Sequence, residues 1–152
     1  MIYKANEKQV SYGEVIGILL LDTYTPFIPG DVGNASSYDF PVRYEVVDGL
    51  TVKRIFQKDE SAYNNLLKAA KKLADAGVKA ITGDCGFMAL YQEKLANELD
   101  IPVFLSSMLQ VPYISNIIGN DKKIAILSAN GNSLNDKELL KNLNKKLAGY
   151  WD

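Results

Sequence analysis

The sequence predicts an α/β fold built on a doubly wound, mostly parallel sheet of four to five strands. Short apolar runs alternate along the chain with segments of helical periodicity, an order typical of βαβ units. Right-handed crossovers then restrict the topology to a flavodoxin-like one. A chain of 152 residues is long enough to bury a core of this kind without a disulfide or metal.

Five segments are predicted as strands. Residues 15–21 are continuously apolar, as expected of a strand buried on both faces. In residues 42–47 apolar and polar side chains alternate in part, and the segment ends at the turn signal Asp48-Gly49. Residues 78–82, 101–105 and 123–127 are the remaining apolar or β-branched runs.

Helices are predicted between these strands. Residues 58–77 carry apolar side chains at helical spacing and close on Gly77, a typical C′ residue. Residues 87–99 and 109–118 follow, the latter with Pro112 near its start. Residues 135–147 complete the series as an amphipathic helix.

Composition excludes several classes of function. The net charge is −1 and no basic block occurs, so neither nucleic acid nor an anionic membrane is expected as a partner. The apolar run at 15–21 is too short to span a bilayer, and a lone cysteine indicates the cytoplasm. The chain has no histidine, so a Ser-His-Asp triad, a Cys-His dyad and a His-ligated zinc are excluded. Glycine-rich nucleotide fingerprints are missing as well.

Cys85 is the only cysteine and the principal candidate. It follows the third strand and precedes a helix, at the sheet edge where α/β proteins bind ligands. A helix N-terminus lowers the pKa of a thiol, whereas the neighbouring Asp84 raises it; Asp84 could also cap the helix or carry a proton. Gly86 allows a ligand to approach the backbone. The alternative is that Cys85 is a small buried residue of a strand–helix turn.

Two further groups share this edge. Asp22 and Thr23 follow the first strand and open a long loop that contains Asn34; the loop is either functional or a pair of local turns. Ser106 and Ser107 end the fourth strand and either contact a ligand or cap the next helix.

Four stretches together carry a resemblance to a known family: residues 17–23 (GILLLDT), 29–34 (PGDVGN), 76–87 (AGVKAITGDCGF) and 101–107 (IPVFLSS). In this order they resemble the first lobe of the aspartate/glutamate/hydantoin racemase superfamily. The resemblance implies a cofactor-independent enzyme of two similar lobes, each of which supplies one cysteine for acid–base chemistry. It implies that residues 1–120 form the first lobe and that 121–152 begin the second.

The resemblance also assigns the site. It makes Cys85 the catalytic residue and a small carboxylate, either an amino acid or a hydantoin-like compound, the substrate. The candidate substrate-binding residues are Asp22, Thr23, Asn34, Asp84, Gly86, Phe87, Ser106 and Ser107; no metal and no cofactor is expected.

The sequence departs from the family at two places. The common Cys-Asn-Thr motif is here Cys85-Gly86-Phe87, and no second cysteine occurs. Racemisation needs an acid and a base on opposite faces of one carbon, so we expect a truncated lobe with little activity of its own. The alternatives are a single-cysteine decarboxylase or isomerase, a non-catalytic module that binds an anion or small ligand, and a lobe whose exposed face forms a homodimer.

Overall fold

The structure is a computed structural model that describes residues 2, 4–5, 7–119, 121–128, 131 and 134. Among these residues, four parallel strands form one sheet in the order β2-β1-β3-β4. The strands are β1 (Ile16–Leu20), β2 (Val42–Val46), β3 (Ala80–Gly83) and β4 (Val103–Phe104). The predicted α/β class and parallel sheet are therefore confirmed.

In the described part of the chain, four α-helices and three 3-10 turns connect or follow the strands. The helices are α1 (Val52–Phe56), α2 (Glu60–Asp75), α3 (Gln92–Ala96) and α4 (Val111–Ile118). The 3-10 turns are Ala35–Ser37, Gly86–Tyr91 and Ser107–Gln110. No helix within these described segments is long and apolar enough to cross a membrane.

Helix α2 is the main crossover element and follows the predicted pattern. Asp59 caps its N-terminus by accepting a hydrogen bond from the Ser61 amide, and Gly77 follows its C-terminus with φ +95°. Its buried face carries Leu66 and Leu73 into the core. A Cβ on Gly17 of β1 would lie 2.9 Å from Leu73 Cδ1, so a glycine is needed for this close helix–strand approach.

The predicted fifth strand at residues 123–127 is not found, because residues 123–128 have no regular secondary structure. The outer edge of β4 is already occupied. Gln92 Nε2 donates to the Val103 carbonyl and Gln92 Oε1 accepts from the Leu105 amide, each at 2.8 Å. The Ile81 amide of β3 donates to the Pro102 carbonyl. Because successive residues of a strand direct their backbone groups to opposite sides, the Val103 carbonyl and the Leu105 amide face away from β3.

Two helix predictions need correction. The helix predicted at 87–99 is a 3-10 turn followed by the short α3, which ends at Ala96. Phe87, Met88, Ala89 and Tyr91 are all buried, and their packing determines the local winding. Helix α1 was not predicted, although Thr51 accepts from the Arg54 amide as its N-cap. The helix predicted at 135–147 lies outside the described residues.

The strand order determines where a ligand can bind. The chain moves from β1 outward to β2, then crosses back to β3 and β4. The order therefore reverses between β1 and β3, and the carboxyl ends of these two strands form the crevice in which open α/β sheets bind ligands.

Candidate functional site

A cavity of about 950 Å³ lies at the carboxyl ends of β1 and β3. Its walls come from the end of β1, the loop that follows, α1, the β3–α3 turn, the segment around α4 and residues 124–128. The volume lies within the range of small-molecule sites.

Asp84 joins the two central strands at this cavity. Its carboxylate oxygens lie 3.0 and 3.1 Å from the Leu21 amide nitrogen, which donates to them. Its own amide donates to the Leu19 carbonyl at 3.0 Å. Burial raises the pKa of Asp84 to about 6, and the nearby charge of Asp31 contributes in the same direction. Asp84 can therefore exchange a proton close to neutral pH.

Cys85 lies beside Asp84 and is half-buried. Burial raises the pKa of the Cys85 thiol, and the Asp84 charge adds to this, while the amides of Phe87 and Met88 act in the opposite direction. The expectation that the helix N-terminus lowers this pKa is wrong, since desolvation outweighs the backbone amides. The alternative of a small buried residue in a strand–helix turn stays open, because Cys85 packs partly against the core and also contributes to the cavity wall.

The loop after β1 is held by its own hydrogen bonds. Asn34 Nδ2 donates to the Phe27 carbonyl at 2.8 Å, and Asn34 Oδ1 accepts from the Ser36 amide at 2.9 Å. Asp31 accepts from the Gly33 amide at 2.9 Å. A Cβ on Gly33 would lie 2.6 Å from the Phe27 ring. The loop therefore presents Phe27 and Asp31 to the cavity in a fixed arrangement.

The structure brings together some of the predicted site residues. Those that line the cavity are Thr23, Asp84, Cys85, Gly86, Phe87 and Ser107. Asp22, Asn34 and Ser106 are absent from its described lining: Asp22 accepts from the Gly49 amide at 2.9 Å, and Ser106 Oγ accepts from the Met108 amide at 3.2 Å. Asn34 and Ser106 therefore serve as caps of the 3-10 turns that follow them, and Asp22 holds the turn after β2.

Sequence reasoning missed other residues of the cavity wall. Lys53 is the only cationic side chain in its described lining. It is exposed and forms no ion pair with another described residue. It was missed because α1 was not predicted. Asp31, Phe27 and Phe56 also line the cavity; Asp31 and Phe27 lie in the long loop, where no periodicity marks the direction of a side chain.

Comparison with known proteins finds several relatives that all carry the same name. The chain is 35% identical over 124 residues to a dimethylsulfoniopropionate lyase of Durusdinium sp. clade D. It is 35% and 34% identical over 129 residues to dimethylsulfoniopropionate lyases 6 and 3 of Emiliania huxleyi. These alignments cover 78–83% of this chain but only 34–40% of the relatives. The chain thus spans about two fifths of the length of the relatives it matches, or less.

Comparisons with protein-family models and with solved structures provide no further information on function. No protein-family model matches the chain. Among solved structures, an aspartate racemase homologue from Pyrococcus horikoshii OT3 is similar with a TM-score of 0.41 and 19% identity, over 70% of this chain and 50% of that one. This likeness is too distant to bear on function.

The expected racemase function is corrected by these findings. The relatives at 34–36% identity are named as lyases of dimethylsulfoniopropionate, a class different from racemases. Cytoplasmic location, a homodimer and the division at residue 120 stay predictions.

Proposed function

We propose that this chain contributes the Cys85 cavity to a lyase that cleaves dimethylsulfoniopropionate. The observation that carries the proposal is the identity of 34–36% to relatives of that name, together with a thiol and a carboxyl group side by side in one cavity. The activity is proposed for the protein at its natural length.

The reaction needs one base. Dimethylsulfoniopropionate has a carboxylate on C1 and a dimethylsulfonium group on C3. A base takes a proton from C2, the C–H electron pair forms the C2–C3 double bond, and the C3–S bond breaks with its electrons on sulfur. Acrylate and dimethyl sulfide leave, and the base keeps one proton until solvent removes it. An elimination of this kind requires no second cysteine, whereas racemisation requires an acid and a base on opposite faces.

We assign the base to Cys85. A thiol whose pKa is raised forms a thiolate that is a stronger base than an ordinary one, which suits a weakly acidic C–H bond. The substrate itself reduces the cost of forming this thiolate, because a sulfonium charge bound nearby favours the anion. The amides of Phe87 and Met88 also favour the thiolate.

Lys53 is assigned to the substrate carboxylate. It is an exposed residue of α1 that lines the cavity and has no carboxylate partner among the described residues. A lysine beside the substrate carboxylate stabilises the negative charge that develops at C2 and C1 during proton removal. Lys53 should therefore affect both binding and rate.

The test uses the protein at its natural length and measures dimethyl sulfide in the headspace and acrylate in solution. We expect equal amounts of the two products. Cys85→Ser should reduce kcat at least ~100-fold, a typical loss for a removed acid–base group, and Lys53→Gln should raise KM and lower kcat. Lys68→Gln, an exposed lysine on α2 outside the cavity lining, is the matched control and should behave as wild type. Full activity in Cys85→Ser would overturn the assignment of the base, and no dimethyl sulfide from the wild type would overturn the function.

A further inference from the structure

We infer that three phenyl rings and two carboxylates of the cavity form a subsite for a methylated onium cation, either a dialkylsulfonium or a quaternary ammonium group. The residues are Phe27, Phe56, Phe87, Asp31 and Asp84. The assignment deepens the proposed function and rests on it for the reason to expect a sulfonium ligand.

The aromatic part of the subsite comes from separate elements of the fold. Phe56 ends α1 and Phe87 lies in the β3–α3 turn, and their ring centroids are 4.7 Å apart at an interplanar angle of 62°. Phe27 is held on the cavity wall by the loop after β1. Phenyl rings attract cations through their quadrupole, and sets of aromatic rings are a common means of binding quaternary ammonium groups.

Two negative charges accompany these rings. Asp31 and Asp84 line the same cavity and are close enough for the Asp31 charge to affect Asp84. Neither forms an ion pair with any residue that the structure describes: Asp31 accepts from the Gly33 amide and Asp84 from the Leu21 amide. A bound cation would relieve the repulsion between the two carboxylates.

The chemistry of the walls favours an onium ion over a metal ion. Calcium and magnesium prefer six or more oxygen ligands, including water, and the described residues contain no group of three or more metal-ligating side chains. Methyl groups on a sulfonium or ammonium centre can contact phenyl rings and cannot donate strong hydrogen bonds. Rings and carboxylates together therefore match a cation with an apolar surface.

The opposite end of such a ligand has a partner in Lys53, the only cationic side chain of the described lining. The cavity thus contains groups for both charges of a zwitterion. The ligand's onium group would contact the rings and the two aspartates, and its carboxylate would contact Lys53. These two contacts would fix the orientation of the ligand in the cavity.

The subsite is tested by binding rather than by turnover. The probes are 3-(trimethylammonio)propionate and its carbon isostere 4,4-dimethylpentanoate, which keeps the carboxylate and lacks the onium charge. Both are titrated calorimetrically into the protein at its natural length. We expect the cation to bind ~10-fold more tightly, given typical cation–π and charge contributions. Phe56→Leu and Asp31→Asn should each reduce this preference ~3-fold or more.

The control variants carry the same types of substitution, Phe→Leu and Asp→Asn, at positions outside the cavity. Phe40→Leu removes a ring that pairs with Tyr38 and is absent from the cavity lining, and Asp100→Asn removes an exposed carboxylate. Both should retain the wild-type preference, and circular dichroism should show every variant folded.

Failure of the subsite and failure of the lyase proposal give different results. Equal affinity for the two probes, or a preference unchanged in Phe56→Leu and Asp31→Asn, overturns the subsite even if dimethyl sulfide is released. A clear preference for the cation without dimethyl sulfide release supports the subsite and overturns only the proposed reaction.

Discussion

Asp84 accepts a hydrogen bond from the Leu21 amide, with its two carboxylate oxygens 3.0 and 3.1 Å from that nitrogen. Leu21 directly follows β1 and Asp84 directly follows β3, so this contact lies where the strand order reverses. A polar group that belongs to the cavity is therefore also part of the connection between the central strands. The hydrogen bond to Leu21 stabilises the fold. The negative charge that a cationic ligand would contact destabilises it, because burial penalises a charge.

We predict that Asp84→Asn stabilises the fold at neutral pH. The pKa of Asp84 is about 6 in the folded state and near its ordinary value when unfolded. The folded state then binds the proton more tightly, so the contribution of Asp84 to the free energy of unfolding is highest below about pH 4 and falls as the pH rises through about 6. Asparagine keeps an oxygen for the Leu21 amide and has no charge to bury. We expect a gain of about 1 kcal/mol at pH 7.5, after allowance for the partial exposure of this group.

Urea denaturation at pH 4.5 and 7.5 checks this prediction. The difference between the two pH values should be smaller in Asp84→Asn than in wild type, and unchanged in the exposed control Asp100→Asn. A variant that is less stable than wild type at pH 7.5 would show that the ionised carboxylate stabilises the strand ends.

We predict that Cys85 alkylates slowly in the free protein and faster when a cation is bound. Burial raises the pKa of its thiol, so the iodoacetamide rate at pH 8 should lie below that of free cysteine. A small onium ion such as tetramethylammonium leaves the thiol accessible and should shift the pH profile downward by favouring the thiolate. Mass spectrometry of the peptide that contains Cys85 measures the rate.

The uncharged compound 2,2-dimethylpropan-1-ol is the control ligand and should leave the pH profile of alkylation unchanged. A thiol that reacts like free cysteine at every pH, with or without the cation, would contradict the influence of burial and of a bound charge on Cys85.

The fold was largely predictable because its signals are local. The continuous apolar run around β1 and the Asp59 and Gly77 ends of α2 specify their elements without reference to the rest of the chain. The fifth strand could not be excluded in this way. Its absence depends on the Gln92 side chain, which occupies the outer edge of β4 from a helix eleven residues away, and residues 123–127 give no sign of that contact.

The site was predictable only in part, because several of its properties depend on contacts between residues that are distant in the sequence. The position of Cys85 after β3 placed it at the correct sheet edge, because strand order is a property of the fold. The direction of its pKa shift was not predictable, since it depends on how far the folded chain buries the sulfur. Lys53 and Asp31 likewise reach the cavity through a short helix and an irregular loop that carry no periodic signal.

We predict that Gly33→Ala weakens ligand binding through Phe27. The added Cβ would lie 2.6–2.8 Å from atoms of the Phe27 ring, so the ring must move from its place on the cavity wall. Isothermal titration with 3-(trimethylammonio)propionate should show a loss of ~3- to 10-fold, as for removal of one aromatic contact.

A double-mutant cycle tests whether the effect passes through this ring. With Phe27→Leu in place, the further change Gly33→Ala should cost much less than it does in wild type. Additive losses in the cycle would mean that Gly33 acts on the loop backbone rather than on Phe27.

We predict that Asp59→Asn removes part of the acid sensitivity of the fold. Hydrogen bonds from Ser61 and Arg54 lower the pKa of Asp59 to about 2, and the Arg54 Nε contact is 2.9 Å. The folded state then binds the proton less tightly than the unfolded state, so this contribution is complete above about pH 4 and is lost as the pH falls through about 2. Thermal denaturation at pH 2.5 and 6 should therefore show a smaller decrease of Tm in Asp59→Asn than in wild type, while the exposed Asp39→Asn should match wild type. An equal decrease in all three proteins would show that the carboxylate at the start of α2 contributes nothing to acid unfolding.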